Sequence, residues 1–179
     1  MMRKKRVCAG VCAVLGILLF CVGCTAPMLP PPSAEKLLSY ETKPFLCTFS
    51  VTEPDGYAAE AILARTADGD TLTVTGEYGA RTVFRFTGGE TFLTCTGSDT
   101  EEALSVPVLL PDGRGAGLWR SMFSLAVTAE GDVSRTEDGI VLRTGTDTLL
   151  FSEDGVPRRI VRTGAEGDTA VRIVSFVLS

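Results

Sequence analysis

Five tight-turn dipeptides punctuate this chain, at Asp55-Gly56, Asp68-Gly69, Gly88-Gly89, Asp138-Gly139 and Asp154-Gly155. They supply the positive backbone angles that short hairpins require, and each separates runs rich in Thr, Val, Phe and Ile. Glu130-Gly131 and Glu166-Gly167 do the same more weakly. Between turns, apolar residues recur with a period of two: Phe45, Cys47, Phe49 and Val51, then Leu72 with Val74, Phe84 with Phe86, Ile140 with Leu142, and Leu149 with Phe151. Alternation of that kind places one face of each strand on a core. The chain is therefore expected to be mostly β, an antiparallel meander. Tyr57–Ala67 is Ala-rich and helical by propensity, but turn signals on both sides favour a strand. The last strand carries Val171, Ile173 and Val177 on one face and Val174, Phe176 and Leu178 on the other. Apolar residues on both faces predict that it lies centrally or faces a cavity as well as a core.

The meander is interrupted once. Residues 97–115 are turn-rich, with Pro107, Pro111, Gly113 and Gly115. Ala116–Val127 then gathers Leu118, Trp119, Met122, Phe123, Leu125 and Ala126 on one helical face, leaving Arg120, Ser121 and Ser124 outside. Near the start, Ser33 is placed to cap a short helix through Leu37 and Leu38. The expected α+β order is a helix, five strands, an irregular stretch with one amphipathic helix, and about five more strands.

The N-terminal segment has a different character. Arg3, Lys4, Lys5 and Arg6 precede an uncharged apolar run from Val7 to Val22, then Gly23-Cys24. Charge, apolar core, small residue and cleavage point are the order of a secretory signal. The run is also shorter than the roughly 20 residues that span a bilayer. Cys21-Val22-Gly23-Cys24 resembles a lipobox, with Cys21 in place of the usual Leu. That resemblance implies a signal peptide over residues 1–23 and a lipidated, palmitate-bearing Cys24. The alternative is an uncleaved anchor; either places the remainder on the extracytoplasmic face of the cell membrane. Pro27, Pro30, Pro31 and Pro32 make residues 24–32 a tether before a domain at 33–179.

The leader holds four of the 17 basic residues and none of the 22 acidic ones, leaving 13 against 22. An acidic chain of this kind disfavours nucleic acid as a partner. Membrane attachment then rests on lipid at Cys24. Only Cys47 and Cys95 fall within the folded part; they make either one disulfide across a loop of roughly 48 residues or two buried thiols.

The chain lacks histidine altogether, which removes the commonest general base and most zinc sites. It carries no phosphate-binding Gly-rich motif and no nucleophile elbow. Asp68-Gly69-Asp70, Asp147 and Glu153-Asp154-Gly155 lie on predicted turns, where Asp is favoured for backbone reasons. Arg158, Arg159 and Arg162 form a close group of cations, read as a solvated strand face. No catalytic residue, metal or cofactor is expected.

The order of elements over Ser33–Ser179 resembles the periplasmic lipoprotein-carrier superfamily, which includes the outer-membrane lipoprotein chaperone, its lipid-anchored receptor and a clostridial germination lipoprotein. The stretch Thr148–Ile160 and the Trp119 helix carry most of that resemblance. It implies a curved half-barrel around an apolar concavity, with Phe49, Leu72, Val74, Phe84, Phe86, Trp119, Phe123, Leu142 and Phe151 as candidate liners. The plain alternative is that these nine residues are the core. Two functions follow as expectations. One is binding of lipid, lipoprotein acyl chains or an apolar partner segment in the concavity. The other is a non-catalytic assembly or interaction role with an envelope protein, for example in sporulation or germination.

Overall fold

In the computed structural model, residues 30–76, 80–96, 104–110, 114–125 and 131–179 are described. Cys24, the leader and most of the tether lie outside them, and the compact unit runs from Pro31 to Ser179. Helix α1 (Ala34–Leu38) is capped by Ser33, whose Oγ accepts from the Lys36 amide at 3.3 Å. A 3-10 turn, Ser39–Thr42, follows. Strands β1 (Phe45–Thr52), β2 (Ala58–Thr66), β3 (Gly69–Thr75), β4 (Arg81–Thr87) and β5 (Glu90–Thr96) form the first meander. A short β6 (Leu104–Pro107) precedes helix α2 (Gly115–Ser121). Then come β7 (Asp132–Thr136), β8 (Gly139–Thr144), β9 (Asp147–Phe151), β10 (Pro157–Gly164) and β11 (Gly167–Leu178).

These strands make one open antiparallel sheet of 11 strands, ordered β6-β5-β4-β3-β2-β1-β11-β10-β9-β8-β7. It is the curved half-barrel expected. The two meanders join where β1 pairs with β11, Phe45 opposite Leu178. Ala58–Thr66 is a strand despite its alanines. Its register with β1 sets Ala61 opposite Phe49 and Leu63 opposite Cys47, so packing overrides propensity. Glycine is required at the β2–β3 turn. Gly69 has φ +139°, and a Cβ there would strike the Phe86 carbonyl oxygen.

Three expectations need correction. The helix expected over 116–127 is shorter: α2 ends at Ser121, and Met122 and Phe123 continue as a turn. The turn-rich region contains β6, which pairs with β5 through Leu93 opposite Val106. The two faces read for the last strand are also out of phase. A bulge between Thr48 and Phe49 of β1 leaves Val174 as an extra residue. Phe176 therefore faces inward with Ile173, while Val177 turns outward at 57% exposure. β11 is central, but its outer apolar residues stay uncovered.

The core lies on the concave face. Phe45, Phe49, Leu63, Leu72, Ile140, Leu142, Leu149, Phe151 and Ile160 of the sheet are all buried against Leu38, Met122 and Phe123. Burying each such side chain contributes about 1.5–3 kcal/mol. The Cys47 thiol is free and buried among them. Burial pushes it up to about 12, so it remains a thiol. Three strands separate β1 from the β5 strand of Cys95. Of the two alternatives, Cys47 is thus described as the free, buried thiol, and the side chain of Cys95 lies outside those described.

Candidate functional site

The mouth of the half-barrel is closed by α2 and the turn after it. Trp119, Met122 and Phe123 point into the concavity and are at most 3% exposed. Phe123 rests against Phe49 and Phe45, with ring centroids 5.2 and 6.1 Å away. Tyr57 stacks on the outer side of Trp119. This segment is short for a stable helix, so contacts with the sheet hold it. Glu53, just beyond β1, accepts from the Gly115 amide at 3.0 Å and from Trp119 Nε1 at 2.7 Å. Glu41 accepts from the Leu125 amide at 2.7 Å. Burial raises the Glu41 carboxyl, with that amide and Arg65 partly opposing the rise.

Two carboxylates fasten the middle of the segment. Asp70 begins β3, and the hairpin register places Arg65 of β2 directly opposite. Arg65 donates to both oxygens of Asp70 at 2.8 and 3.0 Å, and Arg120 of α2 donates Nε at 2.7 Å. Arg65 also reaches the Phe123 carbonyl and Ser124 Oγ. Burial opposes ionisation of Asp70, but hydrogen bonds from Arg65 and Arg120 outweigh it and hold the carboxyl below its ordinary value. Across the sheet, Arg162 of β10 sits opposite Asp147 of β9 and donates to its two oxygens at 2.6 and 3.1 Å. Its remaining guanidinium nitrogen donates to Ser121 Oγ at 2.7 Å.

The sequence places Asp70 and Asp147 on turns for backbone reasons. Each instead lies at a strand start, buried and ion-paired. The signal for Asp70 is available in the hairpin around Ala67-Asp68, which pairs Thr66 with Gly69 and hence Arg65 with Asp70. Arg162 and Asp147 are 15 residues apart with a bulge between them, so their meeting is harder to foresee.

The nine candidate liners divide plainly. Phe49, Leu72, Val74, Phe86, Trp119, Phe123, Leu142 and Phe151 are buried core, and Phe84 is half-buried against them. Phe86 also borders an opening, a rim cleft of about 650 Å³ between α2 and β4–β6. Leu110, Leu118, Pro107 and Arg120 complete much of its wall. On the other side of α2 a second cleft of about 470 Å³ is mixed in character, with Glu53, Asp55, Arg114 and Glu166 in its lining. Among the described residues no group of three His, Cys, Asp or Glu side chains is placed to hold a metal ion.

No protein-family model and no curated protein matches this chain. Among solved structures, the chain is similar to an uncharacterized conserved protein from Thermus thermophilus. That alignment covers 82% of this chain and 85% of the other, at 13% identity and a TM-score of 0.47.

Proposed function

We propose that this chain is a lipid-anchored, non-catalytic lipoprotein on the extracytoplasmic face of the membrane, and that it works by holding another envelope protein. The observation that carries this reading is the filled concavity. The apolar residues that would greet a ligand are covered by α2, and the segment is fastened by Glu53, Asp70 and Arg162. Binding must then use the outside of the half-barrel, where Leu46, Val174 and Val177 are exposed. The buried carboxylates neutralise arginines, which leaves none of them as a general acid or base.

Native mass spectrometry of the full chain released from detergent tests the reading. We expect the mass of the protein with its covalent anchor only, and no uptake of added fatty acid or phospholipid. A stoichiometric lipid adduct lost on Phe86→Asp would favour a second reading, an acyl chain lying in the rim cleft. That alternative is supported by the apolar wall of Phe86, Leu110 and Leu118. Anchoring has a separate test: Cys24→Ala should abolish metabolic lipid labelling and partition into the detergent phase, and unchanged labelling would refute lipidation there.

A further inference from the structure

A third cleft, of about 780 Å³, opens on the outer side of the sheet where β10 and β11 part. The two strands pair from Gly164 opposite Gly167 up to Arg159 opposite Arg172, and no further. Their separation has a local cause. Pro157 at the start of β10 has no amide donor, so it cannot extend a ladder. Beside it, a bulge between Pro157 and Arg159 leaves Arg158 as an extra residue. Val174 is the extra residue of the bulge on the opposite bank. Bulges bend and twist a strand, and here one on each bank turns the pair into a wedge.

The wedge exposes a sheet edge. From Ile173 to Leu178, β11 is paired with β1 on one side only. The Ser179 amide donates to the Pro44 carbonyl at 3.0 Å. In an antiparallel ladder hydrogen-bonded pairs alternate, so Phe176 and Leu178 direct their amide and carbonyl groups away from β1, toward the open side. An unpaired edge of this kind is a template for another strand.

The charge of the wedge is opposite to that of the chain. Its lining includes Arg158, Arg159 and Arg172 and no carboxylate. None of the three forms an ion pair among the described residues, whereas Arg65, Arg114, Arg120, Arg135 and Arg162 all do. Arg159 and Arg172 are also direct cross-strand partners. Like charges directly opposite destabilise a sheet. In the same row Ser50 follows Arg172, and the nearest carboxylate, Glu60, comes only on the next strand.

We propose that the wedge between β10 and β11 receives an extended acidic segment of a partner protein as an added strand on the free edge of β11. Backbone groups of Phe176 and Leu178 supply affinity, and Arg158, Arg159 and Arg172 select acidic side chains. The inference rests on the reading that this lipoprotein holds another protein, and it names the chemistry of that partner.

The test uses the full chain in nonionic detergent and a fluorescein-labelled heptapeptide of alternating Glu and Val, followed by fluorescence anisotropy. Saturable binding is expected, weakened at least tenfold when Lys replaces Glu in the peptide. N-methylation of alternate peptide amides should weaken it by a similar factor, because the edge bonds are lost. An Arg158→Ala, Arg172→Ala double variant should also lose at least tenfold, while Arg85→Ala with Arg143→Ala, both exposed elsewhere on the sheet, should change nothing. Equal binding of the methylated peptide would overturn strand addition, and so would displacement of the peptide by phosphatidylglycerol micelles alone. Photo-crosslinking of the full chain in cells separates the two levels. Adducts formed only from outer positions distant from Val174 overturn this proposal and leave the interaction reading standing. No adduct from any outer position overturns both.

Discussion

The inner and outer faces of this sheet treat arginine in opposite ways. Inside, Arg65, Arg120 and Arg162 are each matched to Asp70 or Asp147 and fasten α2 over the core. Outside, Arg158, Arg159 and Arg172 crowd one cleft without a carboxylate. A buried cation has no alternative to a partner, because leaving it unpaired costs several kcal/mol, about 3–5 when one member of a buried pair is removed. An exposed cation is under no such demand, since water and salt screen it. The inner arrangement is therefore explained by stability, whereas the outer one is neither required nor favoured by it.

The largest expected effect breaks the inner arrangement. Asp70→Asn leaves Arg65, only 12% exposed at its side chain, without its counter-charge. Urea unfolding should show a loss of about 3–5 kcal/mol. Arg120→Ala should cost clearly less, since that side chain is 41% exposed. Equal, small losses from both would mean that Asp70 does not hold the segment in place.

Acid should act on the same residue. The Asp70 carboxyl is depressed in the fold by Arg65 and Arg120 against the opposing effect of burial. Its stabilisation is then complete above the unfolded value of about 3.9 and fades as pH falls through and below it. Glu41 is raised by burial and contributes with the opposite slope, its ionised form costing stability at neutral pH. Chemical denaturation between pH 7 and 3 should show a decline that flattens in Asp70→Asn. An unchanged decline would assign acid sensitivity to other groups.

Tyr40 sharpens the comparison from the core side. Its ring packs edge-on against Phe45 and Phe176, but its hydroxyl is buried with no partner among the described residues. Burial, helped by the nearby Glu41 charge, raises its pKa, so it stays neutral. Tyr40→Phe should be neutral or stabilising by about 1 kcal/mol in thermal unfolding, because an unsatisfied polar group is removed.

These contrasts also mark where sequence reading succeeds. The hairpin turns and the strand character of Ala58–Thr66 are legible because Asp-Gly pairs and period-two runs report local geometry. The half-barrel comes from a resemblance in element order. What escapes is the phase of β11, since the Val174 bulge resets alternation without a local signature. The fate of the arginines escapes for the same reason. Strict alternation puts Arg158 and Arg162 on one face with Ile160, but the bulge at Arg158 sends it outward while Arg162 stays inside. Phe86 and Trp119, read as candidate liners, prove to be core, because an alternating apolar face looks the same whether a ligand or the chain's own helix covers it.

The smallest expected effect lies on the outer face. Arg159 and Arg172 are direct cross-strand neighbours, and like pairs of that kind cost a few tenths of a kcal/mol, up to about 1. Arg172→Ala should therefore leave stability unchanged or raise it slightly at low salt, and the gain should vanish near 1 M salt, where the screening length shrinks to about 3 Å. That sign is opposite to the one expected for Asp70→Asn, so the two variants test the comparison from both ends. If Arg172→Ala instead lost as much as an inner variant, the outer arginines would have a structural partner and the cleft would need no ligand to account for them. If the slight gain is found, the chain carries a charge cluster that its own folding does not favour, as the proposed acidic partner requires.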